Sequence, residues 1–258
     1  MYFIDNIRNS FDFFLRNHIT FSRKNYSEKS IDLNKLVFTE EQDKIYNDLR
    51  EKYDFKSLEN ISEKTFFLNM YLLNVFDKSI SKKQNKAISV LDIGSKNWDY
   101  VKSEYAFFKS FTKDLTLNGI ELDAYRMNSN FYSRYEVAKF YKKGLINTNY
   151  IVGDFMEHMQ KYDYIIWILP FITEYPLIKW GLPLKYFKPL EMLLHAYDLL
   201  TPNGELLIIN QGEKEYTIQQ ELINKMNINT PYIPLGEIED SFGIFKNKRY
   251  YSKLIKTI

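Results

Sequence analysis

Two hydrophobic periodicities divide the chain near residue 84. Before that point, apolar residues recur at helical spacing behind polar residues that can cap a helix. Thr39 and Gln42 have the spacing of a capping box, and Ser62 can cap a second helix. The second helix would present a broad apolar face made of Phe66, Phe67, Met70, Tyr71, Leu73 and Phe76. We therefore expect residues 1–83 to form an all-helical region.

From Ala87 the pattern changes to short apolar runs rich in β-branched residues. The first run, AISVLDIG, ends in a glycine, as expected for a buried parallel strand. Similar runs lie at 115–122, 149–154, 162–169 and 204–210, and helical patterns lie at 128–143 and 189–200. Strands that alternate with helices predict a parallel sheet with right-handed crossovers.

The last part of the chain has a different character, because no long helical pattern separates residues 230–240 from 247–258. These two segments predict a closing antiparallel pair. The expected fold class is therefore α/β, with a mostly parallel sheet and a terminal antiparallel strand in residues 84–258, preceded by the helical region 1–83.

All seven prolines follow residue 169, and four of them lie in segment 170–189. Proline breaks helix interiors and removes a donor from a β-ladder, so this segment cannot be a long helix or an interior strand. It also contains five aromatic residues: Phe171, Tyr175, Trp180, Tyr186 and Phe187. We expect an ordered loop above the fourth strand that acts as a lid or substrate wall, or else packs on the N-terminal helices.

Composition excludes several classes of protein. The chain has 258 residues, 45% of them hydrophobic and 26% charged, which is typical of a globular protein rather than a disordered one. A net charge of +2 disfavours a dedicated nucleic-acid scaffold. The absence of cysteine removes disulfides and thiolate chemistry, and three histidines without ligand spacing predict no metal site.

The first residues do not have the pattern of a signal peptide, because Asp5 and Arg8 interrupt the apolar stretch. The longest apolar run, at 165–172, is far shorter than the roughly 20 residues that a spanning helix needs. We expect a cytoplasmic protein without a membrane span.

Acidic residues and glycines follow three successive predicted strands. Asp92 and Gly94 end the first strand, and a glycine there lets a ligand approach the backbone. Glu121 ends the second strand, where a carboxylate can accept both ribose hydroxyls. Asp154 and Phe155 follow the third strand and suit the amino group and the face of an adenine ring. Together the three ends predict an adenosine site.

These residues resemble the motifs of the class I S-adenosylmethionine-dependent methyltransferases, which have a Rossmann-like fold. VLDIGS is similar to their first motif, GIELD to the acidic end of their second strand, GDF to their adenine-binding turn and LLTPNGELLIIN to the approach to their fifth strand. The resemblance covers residues 85–258 and implies S-adenosylmethionine as cofactor, and we expect the helical region 1–83 to form a lid over the mouth of the cofactor or substrate site. It implies that the methionine part faces Asp92, Gly94 and Ser95, that Glu121 binds the ribose, and that Asp154 and Phe155 bind the adenine.

The first motif departs from the family pattern, because Lys96 and Trp98 occupy the positions of its later glycines. The alternative reading is a non-catalytic member that serves as a binding or assembly partner, with Trp98 filling the methionine pocket. A dehydrogenase and a nucleotidase are disfavoured, because neither the dinucleotide-binding motif G-x-G-x-x-G nor the phosphate-loop motif G-K-[ST] follows the first strand.

Methyl transfer requires alignment and exclusion of water, and a base only where the acceptor must lose a proton. The candidate catalytic residues are Glu213, Glu174 and Tyr175, although Glu213 can equally decorate a helix start. The candidate substrate residues are Phe171, Trp180, Asn210 and Gln211.

The acceptor is expected to be a small or medium-sized molecule. Amino-methyltransferases of nucleobases carry Asn, Asp or Ser before Pro-Pro and an aromatic residue, whereas this chain has Leu169, Pro170 and Phe171 there. Base methylation is therefore disfavoured. The tail contains five basic residues, Lys246, Lys248, Arg249, Lys253 and Lys256, which leave an RNA acceptor as an alternative, although such a run is usually a solvated edge strand.

Overall fold

The computed structural model describes residues 2–19, 25–58, 60–83, 86–228 and 231–257. Three α-helices precede the sheet: α1 (Phe3–His18), α2 (Glu40–Lys52) and α3 (Glu63–Ser79). The Thr39 hydroxyl accepts from the Gln42 backbone N–H, and the Gln42 side chain accepts in return, so the predicted capping box is present. Ser62 caps α3 by accepting from Thr65 N–H. Helix α3 is buried along most of its length, which explains its broad apolar face.

Seven strands then form one sheet in the order β3-β2-β1-β4-β5-β7-β6. The strands are β1 (Ala87–Ile93), β2 (Asp114–Glu121), β3 (Thr148–Val152), β4 (Tyr162–Ile168), β5 (Leu200–Gln211), β6 (Tyr232–Ile238) and β7 (Arg249–Ile255). The first five run parallel to one another, and β7 runs antiparallel to both β5 and β6. The predicted α/β class with a terminal antiparallel pair is confirmed.

Helices cover both faces of the sheet, so its central strands are buried on two sides, as their continuous apolar sequences require. The helices within this part are α4 (Val101–Lys109), α5 (Arg134–Tyr141), α6 (Glu174–Lys179), α7 (Pro189–Asp198) and α8 (Gly212–Lys225). Residues of α3, α4 and α5 share one hydrophobic core, residues of α7 and α8 share a second, and a smaller third cluster contains Leu177, Ile178 and Leu182.

Helix α5 is shorter than the predicted 128–143. It begins at Arg134, because Ser133 and Glu136 form a capping box that fixes the helix start. Before it, Met127 and Ser133 form an isolated antiparallel bridge, so residues 128–132 are a loop. The apolar residues before Ser133 extend the helical pattern, but the capping box starts the helix after them.

The expectation of an edge strand in the basic tail is wrong. Strand β7 lies inside the sheet, hydrogen-bonded to β5 on one side and to β6 on the other. Lys253 is accordingly buried, with its Nζ 3.4 Å from Glu205 Oε2. The Lys256 ammonium donates to the carbonyl oxygens of Tyr197 and Asp198. Lys253 and Lys256 therefore contact other groups of the same chain.

The described part of the chain contains no helix with the length and apolar character needed to cross a bilayer.

Candidate functional site

A cavity with a volume of about 360 Å³ lies at the carboxyl ends of β1, β2, β3 and β4. The chain builds β2 and β3 on one side of β1 and then crosses to β4 on the other side. Ligands of open α/β sheets bind at this kind of topological switch point. Six residues predicted from the sequence line the cavity: Gly94, Glu121, Asp154, Phe155, Phe171 and Trp180.

The turn after β1 keeps a glycine-like backbone although it contains only one glycine. Gly94, Lys96 and Trp98 all have positive φ angles, of 70°, 52° and 48°. The last two are the positions where the methyltransferase resemblance puts glycines. A left-handed conformation costs a residue with a β-carbon about 1–2 kcal/mol, so the surrounding contacts must hold this turn in place.

Trp98 does not line either cavity described here. Its side chain is buried behind the turn, where Nε1 donates to Glu104 Oε2 over 2.8 Å. The indole lies against Gly119 and near the ring of Tyr150. The predicted cofactor cavity is therefore open, which counts against the reading in which Trp98 fills it.

Glu121 is held rigidly at the end of β2. Its Oε1 accepts from Arg134 Nη1 and from the Asp123 backbone N–H, each over 2.9 Å. Its Oε2 accepts from the Lys96 backbone N–H over 2.9 Å, which ties the carboxylate to the left-handed turn. A carboxylate oxygen can accept more than one hydrogen bond, so Glu121 can still accept from a ligand hydroxyl at the cavity wall.

Asp154 and Phe155 form the far wall of the cavity. Asp154 Oδ1 accepts from the Met156 backbone N–H over 2.9 Å and caps a single turn of 3₁₀-helix. The Phe155 ring packs edge-on against His195, with 4.9 Å between ring centroids. Both side chains are therefore fixed before any ligand binds.

Two further predicted cofactor residues lie beneath the turn, outside the cavity lining. Asp92 is fully buried, and its Oδ2 accepts from the Tyr100 hydroxyl over 2.8 Å. Burial, with a contribution from the charge of Glu121, raises the pKa of Asp92 well above its usual value. Ser95 is also fully buried, and its Oγ faces Gly119.

Segment 170–189 forms a wall of the cavity and also packs on α1. It contains α6 and a 3₁₀ turn rather than a loop throughout, because Pro176 lies in the first turn of α6, where proline is tolerated. Asn9 of α1 donates to the carbonyl oxygens of Ile178 and Leu182 over 2.9 and 3.2 Å. Glu174 and Tyr175 begin α6 but do not line the cavity.

Four cationic side chains line the cavity, and sequence reasoning did not select them as site residues: Lys96, Arg134, Lys185 and Lys188. Two of them flank Trp180, with Lys96 Nζ 4.3 Å and the Arg134 guanidinium carbon 5.2 Å from its ring centroid. Burial and the nearby charge of Arg134 lower the pKa of Lys96. Arg134 reaches the site from α5, and no local sequence signal marks that contact.

The candidates around the end of β5 lie away from the cavity. Asn210 is fully buried, and neither of its amide atoms has a hydrogen-bond partner in the described structure. Gln211 is the N-cap residue of α8, and its backbone N–H donates to Glu215 Oε2 over 2.9 Å. Glu213 lies in the first turn of α8, where a negatively charged side chain interacts favourably with the helix dipole.

No cluster of three or more acidic or histidine residues suited to a metal ion occurs among the described residues.

Comparison with solved structures identifies the fold. The chain is similar to an S-adenosylmethionine-dependent methyltransferase from Aquifex aeolicus, with a TM-score of 0.51 and 14% identity over 73% of this chain and 91% of that one. It is also similar to a protein from Listeria monocytogenes assigned to the class I S-adenosylmethionine-dependent methyltransferases, with a TM-score of 0.52 and 13% identity over 88% and 71%. The Rossmann-like methyltransferase fold is therefore shown.

No profile of a known protein family matches the sequence. No curated protein matches it either.

Proposed function

We propose that this protein transfers a methyl group from S-adenosylmethionine to a small or medium-sized acceptor. The observation that carries the proposal is one cavity at the switch point of a methyltransferase-type sheet, into which the ends of β1, β2 and β3 bring Gly94, Glu121 and Asp154 together. A glycine that leaves room for a ligand and two carboxylates at neighbouring strand ends are groups that can bind an adenosine carrying a sulfonium side chain.

The cavity has room for such a ligand where the backbone would touch it. A β-carbon built on Gly94 or on Gly153 would meet no heavy atom within 4 Å, so both glycines face open space. Glycines that leave space beside a rigid carboxylate are typical of a cradle for a nucleoside.

When bound, the cofactor would supply an electrophilic methyl carbon. Asp154 would accept a hydrogen bond from the adenine amino group, Phe155 would pack against the ring, and Glu121 would accept from the ribose hydroxyls. Phe171 and Trp180 would exclude water from the reacting groups, since methyl transfer depends mainly on alignment and desolvation.

The direct test is calorimetric titration with S-adenosylmethionine and S-adenosylhomocysteine. We expect both to bind with one molecule per chain. Gly153→Val, which pushes a branched side chain into the cavity without demanding a positive φ, should abolish binding, and the matched Gly153→Ala should weaken it only slightly. Failure of the folded wild-type protein to bind either ligand at millimolar concentration would refute the proposal.

A non-catalytic protein with the same fold is the second candidate, and the position of Lys96 favours it. The Lys96 side chain lies in the cavity over Trp180, beside the turn at which the methionine part would bind. If this side chain blocks the ligand, Lys96→Gly should create S-adenosylhomocysteine binding that the wild type lacks. Binding by the wild type would remove this candidate.

None of the three sequence candidates for the base, Glu213, Glu174 and Tyr175, lines either cavity described here. They remain predictions that apply only to an acceptor that must be deprotonated.

A further inference from the structure

A second cavity of about 190 Å³ adjoins the first at the end of β4. Lys96, Ile168 and Leu169 line both cavities and therefore form their common border. The rest of its wall comes from α3, from the turn after β1, from β5 and from the segment that leads into β7, and includes Tyr71, Asp99, Tyr100, Phe245 and Arg249. A ligand in the second cavity would thus lie next to a ligand in the first.

Arg249 is the unusual feature of this wall. The residue is only 8% exposed, and no carboxylate of the described residues lies within 4.0 Å of its guanidinium, so it forms no salt bridge there. Its Nη1 donates to the Asn247 carbonyl oxygen over 3.2 Å, and its guanidinium carbon lies 4.2 Å from the ring centroid of Phe245.

Two carboxylates, those of Asp240 and Glu215, act on Arg249 through their charge, but each accepts a hydrogen bond from another group. Asp240 Oδ2 accepts from the Phe245 backbone N–H over 2.7 Å, and Glu215 Oε2 accepts from the Gln211 backbone N–H over 2.9 Å. Both act on Arg249 only through longer-range charge, and burial lowers the Arg249 pKa. A buried guanidinium without a carboxylate is destabilising unless something pairs with it.

The size and chemistry of the cavity define what could pair with Arg249. A cavity of about 150 Å³ can hold benzene, so 190 Å³ holds a single ring or a short chain with a substituent. Leu68, Leu72 and Ile209 supply apolar wall around the body of such a ligand. A guanidinium prefers a carboxylate, which it can bind through two parallel hydrogen bonds.

We propose that the second cavity binds the methyl acceptor and that this acceptor is a small organic acid, with its carboxylate on Arg249 and its reacting oxygen or nitrogen toward Lys96 and Leu169. The binding of the acid stands on the cavity and on Arg249, whereas its role as acceptor rests on the proposed function.

The transfer step needs only the two ligands and a side chain of the second cavity. A lone pair of the acceptor oxygen or nitrogen forms a bond to the methyl carbon, the carbon–sulfur bond breaks, and its electron pair stays on sulfur. The proton that the acceptor loses passes to the Asp99 carboxylate, which lines the same cavity.

The test compares benzoate with benzamide, which have nearly the same shape but differ in charge, by NMR titration of the wild-type protein with and without S-adenosylhomocysteine. We expect benzoate to bind at least about tenfold more tightly, because charge-assisted hydrogen bonds to Arg249 distinguish the two probes. Equal affinities, or no binding of benzoate, would overturn the proposal without any variant.

Two substitutions then locate the contact. Arg249→Met should reduce benzoate affinity roughly tenfold and leave benzamide affinity unchanged. The control is Lys248→Met, which removes the adjacent, exposed cation that pairs with Glu237. Benzoate affinity that is unchanged in Arg249→Met, or equally reduced in Lys248→Met, would overturn the assignment.

Titration with S-adenosylhomocysteine separates this inference from the proposed function. Arg249 does not line the first cavity, so Arg249→Met should bind S-adenosylhomocysteine as the wild type does. If the wild type binds benzoate selectively but not S-adenosylhomocysteine, the acid site stands and methyl transfer fails. If it binds S-adenosylhomocysteine but shows no preference for benzoate, methyl transfer stands and the acid site fails.

Discussion

Trp98 and Gly119 are in direct contact, and the indole occupies the space that a side chain on β2 would need. A β-carbon on Gly119 would lie 2.8 Å from Trp98 Cε2 and 2.9 Å from Ser95 Oγ. The indole is also held by the hydrogen bond from its Nε1 to Glu104, so it cannot move away freely. The unusual turn after β1 is thus matched to a glycine on the neighbouring strand.

Gly119→Ala should therefore destabilise the protein by about 1–3 kcal/mol, the usual penalty for overpacking a core. Chemical denaturation followed by circular dichroism would measure the change. Gly153→Ala is the matched control, because its β-carbon meets open space, and we expect a change within about 0.5 kcal/mol. Equal stability of the two variants would show that the indole adapts to the added methyl group.

Substitutions of Lys96 test whether the turn after β1 is strained. Lys96→Ala and Lys96→Gly both remove the contact with Trp180, but only the glycine relieves the positive φ. We expect the glycine variant to be more stable than the alanine variant by about 1 kcal/mol, measured by urea denaturation. An alanine variant as stable as the glycine variant would contradict strain at this position.

Asp154 tests the adenine contact. Asp154→Ala should weaken S-adenosylhomocysteine binding roughly tenfold, because a buried donor of the ligand would lose its acceptor. Asp154→Asn keeps an oxygen that can accept from Met156 N–H, but it presents an NH2 donor in place of the second carboxylate oxygen, so it should preserve the 3₁₀ turn and still lose affinity. Calorimetry gives both values, and thermal unfolding of each variant checks that the 3₁₀ turn is intact. Unchanged affinity in the alanine variant would exclude Asp154 from the binding site.

The buried carboxyl group of Glu104 should make the stability of the protein depend on pH. Burial and the charge of Asp92 raise the pKa of Glu104 well above its usual 4.5, so the folded protein retains a proton that the unfolded chain releases. Glu104 therefore reduces wild-type stability progressively as the pH rises above 4.5. Glu104→Gln can still accept from Trp98 Nε1 and does not titrate, so its stability relative to wild type should increase with pH. Denaturation midpoints at several pH values measure this, and a constant difference would contradict it.

Arg16 connects α1 to the site. Its Nε lies 2.5 Å from Oδ1 of Asp123, which is fully buried, and its Nη2 donates to the Gly181 carbonyl oxygen over 2.8 Å. Arg16→Met should destabilise the docking of α1, by less than the about 3–5 kcal/mol of a buried charge left alone, because Arg126 and Arg134 also lie near Asp123.

Hydrogen exchange of the α1 amides would report that loss. The double variant Arg16→Met with Asp123→Asn also removes the carboxylate that has lost its closest cation, and should restore part of the protection. Protection that stays at the wild-type level in Arg16→Met would show that the apolar contacts of α1 suffice.

The sequence predicted the order of strands and helices well, because runs such as AISVLDIG combine burial, β-branched residues and a terminal glycine. It placed the start of α5 six residues early, because the Ser133 cap competes with an apolar pattern that continues beyond it. The interior position of β7 depends on long-range pairing with β5, and a charged tail sequence does not reveal it.

The same limit applies to the site. Gly94, Glu121 and Asp154 could be predicted because each follows a strand, and parallel strands end at one edge of a sheet. Arg134 and Arg249 could not, because each reaches its cavity through tertiary packing rather than through a motif. Asp92 and Ser95 belong to a recognisable motif, but the turn buries them beneath the cavity.

The place of β7 between β5 and β6 also constrains the order of assembly. Among the strands of the described residues, β6 has β7 as its only neighbour in the sheet, although β6 is synthesised first. During translation β6 can therefore pair within the sheet only after the later segment that docks beside β5 has emerged from the ribosome, and until then its backbone groups are hydrogen-bonded to water. Completion of this side of the sheet is then a late event that joins three strands at once.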